Sequence, residues 1–275
     1  LIKDFYKNKK VLITGGGTGI GKAMATKYSL LGANVVIASR KTEILEKTSD
    51  EITKISNNKV EYTQLDLKDH DSITKLVNSF DYTPDIVINN AAGNFICRSE
   101  DLSYNGWNTI LDIVLKGSVD LTLQLGGKMI KENKSGVFVN ISTTYANTGS
   151  GYVLPSSIAK AGCDNLTKSL SAEWGKYGIR CLSVAPGPIY TEGAFSRLDP
   201  TGNFQKKVIK KLPCGRLGEK EELANFVTYI TSEHCSWLTG QVINFDGGEV
   251  VGNSGEFNIL NSLSNTEWEI IKKLR

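Results

Sequence analysis

The stretch Thr14-Gly15-Gly16-Gly17-Thr18-Gly19-Ile20-Gly21 constrains this chain more than any other. It joins an apolar run at 11–14 directly to a helical pattern at 20–31. Glycines permit a sharp strand-to-helix turn, let backbone N–H groups approach a pyrophosphate, and bring helix close to strand. A glycine cluster alone says little. Between a strand and a helix it reads as the phosphate loop of a dinucleotide site, built by Gly15, Gly16, Gly17, Thr18, Gly19 and Ile20.

The rest of the chain repeats this alternation. Runs at 11–14, 35–38, 60–65, 85–89, 137–141, 181–185 and 241–245 read as strands. Several are nearly continuous in Val, Ile and Leu, as strands covered on both faces are. Helical patterns at 20–31, 42–56, 69–80, 104–132, 156–177 and 219–231 separate them. The pattern predicts one α/β domain over 1–275, a doubly wound (Rossmann) fold with a seven-stranded parallel sheet. Two segments fall outside the alternation. Residues 186–216, with Pro186, Pro188, Pro200 and Pro213, are expected to form a substrate loop or lid. Residues 250–275 form a polar C-terminal tail, with a short helix at 264–274 capped near Asn265 or Thr266.

Charge and composition exclude other classes. With 32 Lys and Arg against 29 Asp and Glu, the net charge of +3 is too small to make nucleic acid or an anionic membrane the main partner. Cys97, Cys163, Cys181, Cys214 and Cys235 include no CxxC pair, and His70 and His234 add no zinc or haem spacing. Buried free thiols are expected. No apolar run reaches the roughly 18–20 residues of a membrane span. No signal or transit peptide is legible, and because the first residue is Leu1 rather than Met, a preceding segment is expected.

The second strand bears on the cofactor. NAD sites usually place a carboxylate at its end to hold the ribose 2′-OH. Here it ends Ile37-Ala38-Ser39-Arg40-Lys41. A hydroxyl and two cations suit a 2′-phosphate, so NADPH is expected, with Arg40 as its main contact. The plainer alternative is that Arg40 and Lys41 open a solvated helix. Asp66, after the third strand, suits the adenine amino group or a cap for the helix near His70.

These glycines, with Asn89-Asn90-Ala91-Ala92-Gly93 and Pro186-Gly187-Pro188, resemble the short-chain dehydrogenase/reductase family over about residues 8–250. The resemblance implies that Asn89–Gly93 support the sheet and cofactor. It also implies that Pro186, Gly187, Pro188 and Ile189 lie along the nicotinamide. The family's Tyr-x-x-x-Lys motif is altered here. Lys160 is present, but Ser156 replaces the Tyr, Thr143 the Ser, and Val114 the helix Asn. Ordinary carbonyl reduction is therefore not the expected chemistry.

A narrower set of matches resembles one branch of that family, the mitochondrial-type 2,4-dienoyl-CoA reductases. It comprises Asn90–Ile96, Thr143–Ala146, Pro155-Ser156, Ala172–Gly175, Phe195–Gly202 and Ser254–Asn258. The resemblance implies a catalytic Tyr displaced upstream to Tyr145, acting with Lys160, Ser156 and Asn94. It implies an acyl-CoA substrate touched by Lys68, Phe95, Ser103 and Arg197. It further implies NADPH, a homotetramer and the mitochondrial matrix, or the cytoplasm in a bacterium. Lys206, Lys207, Lys210 and Lys211 form either a solvated face or a contact with CoA phosphates. Each site residue also has an ordinary structural reading: Tyr145 a core aromatic, Asn94 a turn residue, Ser156 a helix cap. Two other functions stay open, a 3-oxoacyl-thioester or other carbonyl reductase and a catalytically silent NADP-binding regulator. The missing Tyr at 156 opposes the first, and Tyr145 with Lys160 opposes the second.

Overall fold

A computed structural model describes residues 4–191, 193, 199 and 203–274. Strand β1 (Lys10–Thr14) leads through the glycine turn into α1 (Gly19–Leu30), β2 (Asn34–Ser39), α2 (Thr42–Ser56), β3 (Glu61–Gln64), α3 (His70–Asn78) and β4 (Ile86–Asn89). Next come α4 (Tyr104–Ile110), a π-helical turn at Leu111–Lys116, α5 (Gly117–Lys131), β5 (Gly136–Ile141), α6 (Tyr145–Thr148) and α7 (Leu154–Trp174). The last elements are β6 (Ile179–Pro186), α8 (Asn203–Lys211), α9 (Lys220–Thr231), β7 (Val242–Phe245), α10 (Glu249–Ser254) and α11 (Asn265–Lys272).

The seven strands pair in parallel in the order β3-β2-β1-β4-β5-β6-β7. Side chains alternate across each strand, and both faces of β1, β2, β4, β5 and β6 are covered, whereas the edge strand β3 is largely exposed. In β1, Val11 and Ile13 enter a core with Met24, Tyr28, Leu45, Leu223 and Val227 of α1, α2 and α9. Leu12 points the other way, into a core with Ile73, Leu121, Leu125 and Trp174 of α3, α5 and α7. Phe138 against Val137 and Val139 in β5 divides in the same way. Two buried cores explain why these strands read as nearly continuous apolar runs. The strand order reverses between β1 and β4, so a crevice opens beyond their C-terminal ends, where open α/β sheets bind ligands.

The structure corrects several expectations. The helix expected at 104–132 is broken by the π-helical turn 111–116, where the Cys163 thiol donates to the Val114 carbonyl at 3.3 Å. The helix carrying Lys160 starts at Leu154 after Val153, with Pro155 in its first turn, so Ser156 lies inside it and does not cap it. The expected loop 186–216 contains α8, and the tail contains α10. Helix α11 is capped by Ser264 rather than Asn265 or Thr266. Ser264 has the extended backbone a cap needs and forms a reciprocal capping box with Glu267. The cysteines are free, but only Cys163 and Cys181 are buried, and Cys214 is exposed.

Candidate active site

The crevice is framed by a polar lock between β1 and the turn after β4. The Thr14 hydroxyl accepts from the backbone N–H of both Asn90 and Ala91 at 3.0 Å, and the Asn90 amide donates to the Thr14 carbonyl at 2.9 Å. Gly15 has φ +65, and a Cβ there would sit 3.0 Å from the Ala91 Cα. A Cβ on Gly21 would meet the Gly15 carbonyl oxygen at 2.3 Å. Only glycine lets α1 begin this close to the strand. Thr18, exposed and extended, precedes α1 without a side-chain cap, and the helix's first turn carries no acidic residue. Its backbone N–H groups are left for an anion, a donor set that suits a dinucleotide pyrophosphate.

Arg40 and Lys41 are exposed at the end of β2. With Thr42, Glu43 and Ile44 they line a cavity of about 530 Å³. Asp66 takes the Lys68 N–H at 3.0 Å, while Asp69 caps α3, which settles the capping alternative against Asp66. Gly187 lies so close to Asp246 that a Cβ would come within 2.8 Å of its Cα. Gly187, Pro188 and Ile189 line a second cavity, of about 230 Å³, with Leu212, Cys214, Arg216 and Asp246. Pro186 ends β6 opposite Phe245.

The polar cluster forms where the C-terminal ends of β4 and β5 meet α7. The Asn94 amide donates to the Tyr145 hydroxyl at 3.2 Å, and that hydroxyl lies 3.2 Å from the Ser156 hydroxyl. With Asn94 as donor, the phenol oxygen keeps one proton and one lone pair for the Ser156 hydroxyl, so that contact can run in either direction. Asn94 is oriented by its own Oδ1, which accepts the Phe95 N–H at 2.9 Å. Tyr145 sits on the four-residue α6. The Ser157 hydroxyl donates to its carbonyl, and the neighbouring Thr144 hydroxyl donates to Glu249, each at 2.9 Å. Lys160 is buried one turn beyond Ser156, and its ammonium donates to the Ile141 carbonyl at 2.5 Å. Burial pulls its pKa below the ordinary lysine value. Asp164 follows one turn on, accepting from Ser183 at 2.5 Å, and burial pushes its carboxyl up.

The structure thus brings Asn94, Tyr145 and Ser156 together. Phe95 is half-buried against the hydrophobic patch around Ile110 and Val114. Ser103 caps α4 by accepting the Gly106 N–H at 3.1 Å. Lys68 is exposed, as are Lys206, Lys207, Lys210 and Lys211 on α8. Arg197 lies outside the described residues. Sequence reasoning singled out neither Ser157 nor Glu249. The one local signal for Glu249 was the Asp246-Gly247-Gly248 turn before it.

A parallel sheet with a glycine phosphate turn and a hydroxyl–amide cluster at its C-terminal edge defines a dinucleotide-binding oxidoreductase. Comparison with known proteins supplies the family. The model of the family described as enoyl-(acyl carrier protein) reductase matches residues 15–249. A probable 2,4-dienoyl-CoA reductase, (3E)-enoyl-CoA-producing, of Caenorhabditis elegans is 44% identical over 277 residues, spanning 98% of this chain and 90% of that protein. A probable (2E)-enoyl-CoA-producing 2,4-dienoyl-CoA reductase of Bacillus subtilis is 39% identical, over 88% of this chain and 97% of that one. The crystal structure of a putative 2-deoxy-D-gluconate 3-dehydrogenase from Agrobacterium tumefaciens with bound NADP superimposes with a TM-score of 0.82. It is 29% identical and covers 91% of this chain and all of that one. The chain belongs to the short-chain dehydrogenase/reductase family, and it is an oxidoreductase. No helix among the described residues is long and apolar enough to cross a membrane.

Proposed function

We propose that this enzyme uses NADPH to reduce 2,4-dienoyl-CoA thioesters to trans-3-enoyl-CoA, a step in the β-oxidation of unsaturated fatty acids. The observation that carries the reading is the Tyr145 hydroxyl between Asn94 and Ser156, 3.2 Å from each, beside a helix that lacks the usual Tyr at 156. Relatives named as dienoyl-CoA reductases, 39–45% identical, support the substrate.

The glycine turn and α1 N-terminus would hold the pyrophosphate, Arg40 the 2′-phosphate, Asp66 the adenine, and Pro186–Ile189 the nicotinamide. Lys160 would hold the nicotinamide ribose. NADPH supplies a hydride, here to C5 of the dienoyl chain. Negative charge then spreads to the thioester oxygen as a dienolate. Tyr145 and Asn94 are the donors aimed at that oxygen, and one such donor is worth about 3 kcal/mol of barrier. Protonation at C2, with Tyr145 or a water it orders as the acid, completes the reduction. The Ser156 hydroxyl hydrogen-bonds the phenol in the resting site and keeps the ring in place.

CoA is bulky and polyanionic. Lys68, Ser103 and Arg197 are assigned to its binding, with Phe95 beside the acyl chain, and the four lysines of α8 offer phosphates a further cationic face. Leu123 on α5 and Leu154 and Ile158 on α7 are exposed apolar side chains, which supports a homotetramer assembled through these helices. The resemblance carries the assignment to the mitochondrial matrix, Tyr145 standing where peroxisomal relatives use Asp. Incubation with NADPH and 2,4-hexadienoyl-CoA tests the function. Loss of NADPH absorbance with 3-hexenoyl-CoA as product supports it, whereas turnover of a 3-oxoacyl thioester alone overturns it.

A further inference from the structure

Helix α6 has only four residues, Tyr145–Thr148. Helices this short are not stable by themselves, so other elements must hold the turn that aims the Tyr145 phenol. Its own Gly149 N–H to Tyr145 carbonyl bond closes the turn but gives it no direction. Besides the contacts of the Tyr145 hydroxyl itself with Asn94 and Ser156, two side-chain bonds tie the backbone of this turn to the rest of the fold. Ser157 of α7 donates to the Tyr145 carbonyl, and Thr144 donates to Oε2 of Glu249, both at 2.9 Å. Thr144 is buried, and Glu249 is half-buried.

Glu249 is itself held in place. Gly247 and Gly248 have φ +61 and +84, a turn that side-chain-bearing residues rarely adopt. The Asp246 carboxylate closes that turn by accepting the Gly248 and Val250 N–H groups at 2.9 Å. Gly252, one turn into α10, leaves room for Pro213, whose Cγ would lie 2.8 Å from a Cβ there. The C-terminal segment therefore presents one carboxylate to the residue before Tyr145. Burial and the charge of Asp246 push the Glu249 carboxyl above its ordinary pKa, and the Thr144 hydroxyl counters them.

We propose that Glu249 is a positioning residue for Tyr145, acting through its hydrogen bond to Thr144. The claim rests on the reading of Tyr145 as the donor to the dienolate. Catalysis is steep in geometry, and a displacement of about 1 Å can cost on the order of 100-fold.

The test uses Thr144→Val, Thr144→Ser, Glu249→Ala and Glu249→Gln with NADPH and 2,4-hexadienoyl-CoA. Thr144→Val and Glu249→Ala should each lower kcat about 10-fold or more, with KM for both substrates nearly unchanged. Thr144→Ser keeps the donor and Glu249→Gln keeps an acceptor oxygen, and both should retain most activity. In a Tyr145→Phe background, Thr144→Val should cost nothing further, because the hydroxyl it positions is gone. Normal kcat in Thr144→Val, or an undiminished loss in the Tyr145→Phe background, overturns the proposal. If the unaltered protein leaves dienoyl-CoA untouched, the function reading fails by itself. Amide exchange at 145–148 then decides this inference. Faster exchange in Thr144→Val and Glu249→Ala than in Thr144→Ser supports it, and equal rates overturn it.

Discussion

The Tyr145 hydroxyl lies 3.2 Å from that of Ser156, eleven residues further along the chain. The aromatic hydroxyl therefore reaches the site from a separate turn and not from the helix that carries Ser156 and Lys160. Position 156 carries only a small, buried hydroxyl side chain where the ordinary motif would place a ring.

Tyr145→Phe keeps the ring and removes only the hydroxyl. It should lower kcat about 100-fold with little change in KM, since the bond matters mainly in the transition state. Ser156→Ala should cost less, about 0.5–1.5 kcal/mol of barrier. Ser156→Tyr should block the dienoyl substrate without creating good ketone reduction, because Thr143 and Val114 still depart from the ordinary tetrad. Near-normal kcat in Tyr145→Phe beside an inactive Ser156→Ala would return the chemistry to position 156.

Arg40 is exposed at the mouth of the cavity beyond β2. Arg40→Ala should raise KM for NADPH roughly 10- to 150-fold, the loss of about 1.5–3 kcal/mol of charge-assisted bonding. KM for NADH should barely change. Equal effects on the two cofactors would remove Arg40 from the 2′-phosphate.

Burial raises the Cys181 thiol from 9.0 to about 12, and burial raises the Tyr6 phenol from 10.0 to about 12. Above pH 9 the unfolded chain loses protons that the native state retains, so stability is full below that pH and falls as pH rises toward 12. Urea unfolding at pH 8, 9, 10 and 11 should show this decline. Cys181→Ala should flatten it, and an identical slope in the variant would show that the thiol contributes nothing.

The Arg180 guanidinium donates to four carbonyls, those of Ile230, Thr231, Ser232 and Leu238, at 3.0–3.2 Å. These lie at and beyond the C-terminal end of α9, where helix carbonyls lack internal partners. Arg180→Met should cost about 3 kcal/mol or more, seen as a lower urea midpoint at unchanged slope.

Light scattering at micromolar concentration should give the mass of four chains. Ile158→Glu, which puts a charge on the exposed apolar face of α7, should reduce it. A monomeric unaltered protein would contradict the tetramer.

Much of this protein is determined locally. The nearly continuous apolar runs at 11–14 and 137–141 require strands covered on both faces, and the glycines after Thr14 require a tight strand-to-helix turn. Apolar period and turn chemistry are read within a few residues, so the parallel sheet and the phosphate loop were legible in advance. The S-x-x-E cap at Ser264 is equally local. The site depends on longer distances. A four-residue helix has no period to read, so α6 carried no signal of its own. The π-helical turn at 111–116 is visible only once Cys163 of α7 lies against Val114. Asn94, Tyr145 and Ser156 meet because β4 and β5 pair in parallel with Asn89 opposite Asn140, which carries the segments after both strands to the same edge of the sheet. Strand register and the packing of α7 bring Asn94 and Ser156, from two other segments, each within 3.2 Å of the Tyr145 hydroxyl. That proximity comes from the assembled sheet and not from any run of residues.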